Sequence, residues 1–331
     1  YKRQPDFQPP DSLEEWLRQR DGIRAKLKEL LGDLPPKPNP VAVRIVSRTN
    51  HVGAVLEKFE FDNGAGDVVP GYFLLPANRA GKVPAILYCH WHGGHYDVGK
   101  EELFRTNATP VPPGPALVNL GFAIMAIDAY CFGERNGTGP GGPSEKGSAG
   151  EMTAAKFNLW VGRTLWGMML RDELIALEYL RSRPEIDATR TGVTGISMGA
   201  TRTWWLMALD DRLKAGVAVC CLTRYQNLIS SEALAEHGIY YFVPGMLRHF
   251  DTEAVVALAA PRPLLLQCGE KDRGSPVDGI RLIEKKTSKV YGLYGSQRNF
   301  QTIIYDGVGH VYTPEMWNRT VTWLTTHLKG Q

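Results

Sequence analysis

Apolar positions follow two rhythms along the chain. Over residues 11–32, Leu13, Trp16, Leu17, Ile23, Leu27 and Leu30 recur at helical spacing. Ser12 with Glu15 three residues on forms a capping box, and Gly32 stands where a C-terminal cap belongs, so one helix is predicted here. A link rich in proline (Pro35, Pro36, Pro38, Pro40) follows, which makes 1–40 an N-terminal helical extension and Pro-rich link without a core of its own. Strand-like runs at 41–48, 54–61 and 68–75 come next. They are close together, with turn residues such as Asn63, Gly64 and Gly66 between them, and this spacing predicts antiparallel pairing.

From residue 83 the rhythm changes. Runs at 83–89, 122–127, 191–196, 214–221, 263–268 and 301–305 are uniformly apolar and further apart, as parallel strands covered on both faces require. Helical faces recur between and after them, over 163–182 (Trp166, Met169, Leu170, Leu174, Leu177, Leu180) and 315–328 (Trp317, Val321, Leu324, Leu328). The fold class predicted is α/β: a mostly parallel central sheet with helices on both faces and an antiparallel N-terminal strand region, one domain over 41–331. Two stretches exceed what a connection needs. One is 129–160, glycine-rich and irregular; the other is 222–262, which includes His237-Gly-Ile-Tyr240-Tyr241-Phe242. Both are expected to serve as active-site loops or a lid.

Composition narrows the function. Hydrophobic residues make up 43% and charged residues 22%, so the chain is neither disordered nor fibrous. The 38 basic and 35 acidic side chains leave a net charge of +3, too balanced for a nucleic-acid partner. Apolar runs such as Val255 to Ala260 fall far short of the ~20 residues a membrane span needs, so no membrane partner is expected. The five cysteines are odd in number and form no CxxC. Four lie inside apolar runs, which reads as small buried hydrophobes and not as a disulfide framework. The chain begins at Tyr1 and not Met, which leans toward an exported, periplasmic or secreted protein.

The chemistry-bearing signal is Thr191-Gly-Val-Thr-Gly195-Ile-Ser197-Met-Gly199-Ala200: an apolar strand, then Gly-x-Ser-x-Gly, then a helix starting near Ala200. The serine would sit on a turn so sharp that side chains two positions either side would collide with neighbouring backbone, and glycine at 195 and 199 removes those collisions. A serine hydroxyl needs a base. Downstream, the strand ending in Cys268 runs into a loop with Asp272, the candidate acid, with Glu270 and Asp278 as rivals. The strand ending near Tyr305 runs through Asp306-Gly-Val-Gly to His310, the candidate base. The order Ser197, Asp272, His310 matches the nucleophile-elbow fold. Upstream, the strand ending in Cys89 is followed by His90-Trp-His92-Gly93-Gly94-His95. The backbone N–H of His92 (Gly93 as runner-up) and that of Met198 are the candidate oxyanion donors. A metal site at His90, His92 and His95 is the rival reading; no further cluster at ligand spacing completes it, so neither metal nor cofactor is expected. Asp128 and the Glu134–Arg135 pair are expected to tie down a loop beneath the site. Trp160, Tyr225, Tyr240, Tyr241 and Phe242 fall in the long loops, the first four as candidate substrate-binding residues.

With these stretches in hand, the chain from about residue 41 onward resembles the α/β-hydrolases, and within them the bacterial acetyl xylan esterase and dienelactone hydrolase-like esterases. The matching stretches are Cys89-His-Trp-His-Gly-Gly-His, Asp128-Ala-Tyr-Cys-Phe-Gly-Glu-Arg, Arg171-Asp-Glu-Leu-Ile-Ala-Leu-Glu-Tyr-Leu, Gly195-Ile-Ser-Met-Gly and Ala260-Pro-Arg-Pro-Leu-Leu-Leu. The resemblance implies a serine esterase for short acyl groups, with Ser197, Asp272 and His310 as its triad and a small-molecule or carbohydrate ester as substrate. Trp91 stands where many members carry glycine. Dienelactone hydrolases proper use cysteine, so Ser197 argues against that activity. Two other functions use the same features: a peptidase of the prolyl-oligopeptidase type, which usually carries a large extra domain, and a hydrolase fold kept as a binding module, which has no reason to keep all three residues.

Overall fold

The computed structural model describes residues 6–51 and 53–329. Nine strands among them form one sheet: β1 (Val43–His51), β2 (Ala54–Asp62), β3 (Val68–Pro76), β4 (Val83–Cys89), β5 (Ala123–Ile127), β6 (Ile186–Ile196), β7 (Ala215–Val219), β8 (Leu264–Gly269) and β9 (Phe300–Tyr305). Their order is β1-β2-β3-β5-β4-β6-β7-β8-β9. The first three pair antiparallel, as does β3 with β5, and every later pair is parallel. Helices α1 (Leu13–Leu31), α2 (Pro113–Asn119), α3 (Gly147–Trp160), α4 (Leu165–Ser182), α5 (Met198–Leu209), α6 (Tyr225–Ser230), α7 (Thr252–Ala257), α8 (Val277–Leu293) and α9 (Pro314–Lys329) fill the connections.

The parallel strands are apolar throughout because they separate two cores. In β4, Ala85, Leu87 and Cys89 face one cluster with Trp166, Trp204 and Trp205, while Ile86 and Tyr88 face another with Leu117, Trp317 and Leu324. The parallel strands β5, β4, β6, β7, β8 and β9 present their carboxyl ends, and the loops after them, to one common edge.

Four details differ from the sequence reading. Helix α1 is no appendage: Trp16, Ile23, Leu27 and Leu31 join the main core, and Trp16 Nε1 donates to the Tyr294 hydroxyl at 3.1 Å. Half of its capping box forms, with the Glu15 N–H donating to Ser12 Oγ at 3.2 Å, while the Glu15 carboxylate accepts from the Ser12 hydroxyl and not from its backbone N–H. Strand β6 starts at Ile186, earlier than its apolar run: Ile186 pairs with Val83, and the polar stretch Asp187–Arg190 forms an irregularity before pairing resumes between Thr191 and Ala85. The glycine-rich stretch contains a full helix, α3. Finally, 222–262 is not open loop but carries α6, α7 and three short 3₁₀ turns.

Candidate active site

Ser197 sits between β6 and α5 with φ 58° and ψ −119°, a left-handed backbone that non-glycine residues avoid. The turn is anchored by the Ser197 N–H donating to Val219 O at 2.9 Å. Glycine is required on either side: a Cβ on Gly195 would stand 2.8 Å from the Gly199 carbonyl carbon, and one on Gly199 would stand 3.0 Å from His90 O. The following helix begins at Met198, so the Met198 N–H has no partner inside the helix.

Two loops after β8 and β9 converge on this serine. The Lys271 N–H donates to Val308 O at 2.7 Å and the Glu270 N–H to Tyr305 O at 2.9 Å, which lock the loops together. Asp272 is buried, and its Oδ1 accepts the Gly274 N–H at 3.0 Å. Its Oδ2 accepts from His310 Nδ1 at 2.7 Å, which leaves Nε2 of His310 as the acceptor for the Ser197 hydroxyl at 2.9 Å. The rivals of Asp272 are occupied elsewhere. Glu270 accepts the Gly307 N–H at 2.9 Å, and Asp278 lies in the first turn of α8.

The turn after β4 faces the serine from the other side. Its donors are mostly spent: the Trp91 N–H on Glu102 (2.9 Å), that of Gly94 on His92 Nδ1 (3.1 Å), and that of His95 on His92 O (2.9 Å). The N–H groups of His92 and Gly93 have no acceptor among the described residues. Beneath the turn, fully buried Arg202 bonds both Glu173 and the His90 carbonyl. The three histidines of the stretch have separate partners. His90 Nδ1 donates to Trp91 O and its Nε2 accepts the Ala129 N–H, His92 bonds Glu151, and His95 stacks on Trp91. Asp128 accepts from the Lys100 backbone and ammonium and from the Glu134 N–H, and Arg135 pairs with Asp172, so this constellation holds the neighbouring loop.

The serine opens onto a cleft of about 550 Å³ that is lined also by His92, Gly93, Cys221, His237, Tyr240 and Lys271. Among the candidate substrate-binding residues, only Tyr240 lines it. Tyr225, at the start of α6, and Tyr241 line a separate apolar pocket of about 170 Å³; in the 239–241 turn the Tyr241 side chain points away from its neighbour Tyr240. Trp160, at the end of α3, is 93% exposed and lies outside the residues that line the cleft. Three lining or supporting groups carry no sequence signal: Cys221, His237 and Glu151. Cys221 Sγ lies 3.7 Å from Ser197 Oγ; burial pushes its thiol up to about 12, so it stays protonated and is no competing nucleophile. Burial pulls the His237 imidazole below its ordinary range, and its Nε2 bonds Gly274 O at 2.9 Å. All five cysteines are free and buried.

The Abhydrolase family model matches residues 1–303. The chain belongs to the Abhydrolase family. This Abhydrolase chain is 35% identical over 303 residues to a protein described as a hydrolase, YtaP, of Bacillus subtilis (strain 168), over 91% of this chain and 97% of that one. Among solved structures, one described as an acetyl xylan esterase from Bacteroides fragilis NCTC 9343 matches with a TM-score of 0.74 at 22% identity, over 92% of this chain and 79% of that one. A glucuronoyl esterase from Solibacter usitatus matches with a TM-score of 0.72 at 16% identity, over 99% and 100%. At these identities the two structures establish the α/β-hydrolase fold, which the sheet order and the elbow also display.

Proposed function

We propose that this chain is a serine esterase that hydrolyses short-acyl, acetyl-type carboxylic esters, carbohydrate esters among them, through an acyl-enzyme. The observation that carries the reading is the unbroken hydrogen-bond chain Ser197–His310–Asp272 on the floor of an open cleft. Ser197 Oγ attacks the ester carbonyl carbon while His310 Nε2 takes its proton. Asp272 orients the imidazole and stabilises its charged form. The negative charge on the tetrahedral oxygen falls to the N–H groups of Met198 and His92. His310 then returns the proton to the leaving alcohol, and water, activated by the same imidazole, releases the acid. No metal or cofactor takes part in any step of this scheme.

Short acyl groups are favoured by the cleft itself. The lining around Ser197 combines Cys221 and Tyr240 with the polar His92, His237 and Lys271, a poor surface for a long acyl tail. Each buried methylene contributes only about 0.8 kcal/mol, so kcat/KM should stay flat or fall beyond four carbons. The test is a series of nitrophenyl esters from acetate to decanoate, run beside acetylated sugars and a chromogenic peptide. Turnover of acetate and acetylated sugars supports the reading. A steady rise toward decanoate contradicts the acyl class, and cleavage of the peptide alone contradicts the reaction.

A further inference from the structure

His92 is gripped on every side in the turn that offers the free N–H groups. Its Nδ1 accepts the Gly94 N–H at 3.1 Å, so the ring proton lies on Nε2. Nε2 donates to Glu151, 3.2 Å to Oε1 and 3.4 Å to Oε2. Glu151 comes from α3, is 3% exposed, and takes a second bond from the Tyr96 hydroxyl at 3.2 Å. The His92 ring stacks on Tyr240 at 5.0 Å and meets the edges of Tyr96 and Phe132 at 4.9 and 5.1 Å. Burying a carboxylate is costly, and packed apolar groups would stabilise the fold at least as well. The pair is better explained by what it fixes than by stability.

We propose that Glu151 is a positioning residue for the esterase reaction, acting through His92 on the oxyanion-binding turn; the inference rests on the function proposed above. As long as Glu151 accepts from Nε2, Nδ1 is left as an acceptor for Gly94, and the turn keeps the His92 N–H free for the substrate oxygen. Without that acceptor the ring can carry its proton on Nδ1. The Gly94 N–H then loses its partner and the turn loosens. The oxyanion exists only in the transition state, so the loss falls on kcat and spares KM.

The test compares Glu151→Leu, Glu151→Gln and His92→Phe with the wild-type chain. His92→Phe keeps a ring between Tyr240, Tyr96 and Phe132 but removes both hydrogen bonds, and it serves if Glu151→Leu does not fold. Kinetics on nitrophenyl acetate and the rate of Ser197 phosphonylation by a fluorophosphonate are measured together. Removing an oxyanion donor outright costs about 10²–10³ in kcat, so Glu151→Leu and His92→Phe should each lose about 10–100-fold in kcat and in phosphonylation rate, with KM little changed. Glu151→Gln retains an acceptor oxygen and should recover most of both rates. Folded Glu151→Leu and His92→Phe at wild-type rates, or Glu151→Gln as slow as Glu151→Leu, overturn the positioning role alone. A wild-type chain inert to both reagents overturns the esterase reading, and this inference falls with it.

Discussion

Gly199 lies directly against the end of β4: a methyl group on it would stand 2.8 Å from the Cys89 carbonyl carbon and closer still to its oxygen. The start of α5, which follows the proposed nucleophile, and the end of β4, which feeds the proposed oxyanion turn, are thus in close contact at this position. Gly199→Ala should therefore disturb both. Overpacking of this kind costs about 1–3 kcal/mol, and more where the obstacle is backbone. The expected result is a clear drop in melting temperature, with kcat/KM on nitrophenyl acetate down at least about tenfold because the serine and the turn are displaced together. Thermal melts and steady-state kinetics on the same preparation check this.

Asp272 is set apart from its neighbours by what it holds. Asp272→Asn would present an N–H to His310 Nδ1, favour the wrong tautomer and lower kcat by roughly 10⁴. Glu270→Gln and Asp278→Asn should stay within a few-fold of wild type, since Glu270 accepts the Gly307 N–H and Asp278 lies in the first turn of α8. A kinetic comparison of the three variants decides the acid.

Much of this candidate site is legible in the sequence, and the reason is local. Ser197, Asp272 and His310 each follow an apolar strand directly, with glycine where the chain must turn or reach, so short-range pattern betrays them. Glu151 could not be found that way. It meets His92 across 59 positions, on a helix whose pattern is inverted: α3 buries Gly150, Glu151 and Asn158 and exposes Met152, Leu159 and Trp160. Apolar periodicity points such a helix the wrong way round. Tyr225 and Tyr241 show the opposite failure. Both lie on the long aromatic-bearing segment, but Tyr225 opens α6 and Tyr241 sits in a 3₁₀ turn whose adjacent side chains diverge, so of the three tyrosines only Tyr240 lines the cleft.

Glu102 ties the Trp91 N–H and the Tyr88 hydroxyl (2.9 and 2.6 Å) beneath the turn after β4, and complete burial raises its carboxyl to about 7 from the usual 4.5. The folded state thus holds a proton that the unfolded chain has already lost. Below the unfolded value the group costs nothing; its penalty grows as pH rises through the window from 4.5 to about 7 and is constant above. A shift of this size corresponds to up to about 3 kcal/mol. Glu102→Gln can keep both contacts, with its oxygen on Trp91 N–H and its amide on Tyr88, and carries no charge. Its stability relative to wild type should therefore improve as pH rises from 5 to 8, as read by urea denaturation at both values. A constant difference would show that Glu102 does not titrate in this window.

The central claim is that Ser197 is the nucleophile, and covalent labelling tests it most directly. The chain is treated with a fluorophosphonate, digested, and mapped by mass spectrometry, beside a Ser197→Ala variant assayed on nitrophenyl acetate. The expected result is a single adduct on the peptide carrying Ser197, no adduct in the variant, and turnover in the variant lower by about 10⁴–10⁶. An adduct on another residue, or a Ser197→Ala variant with near-normal turnover, would contradict it.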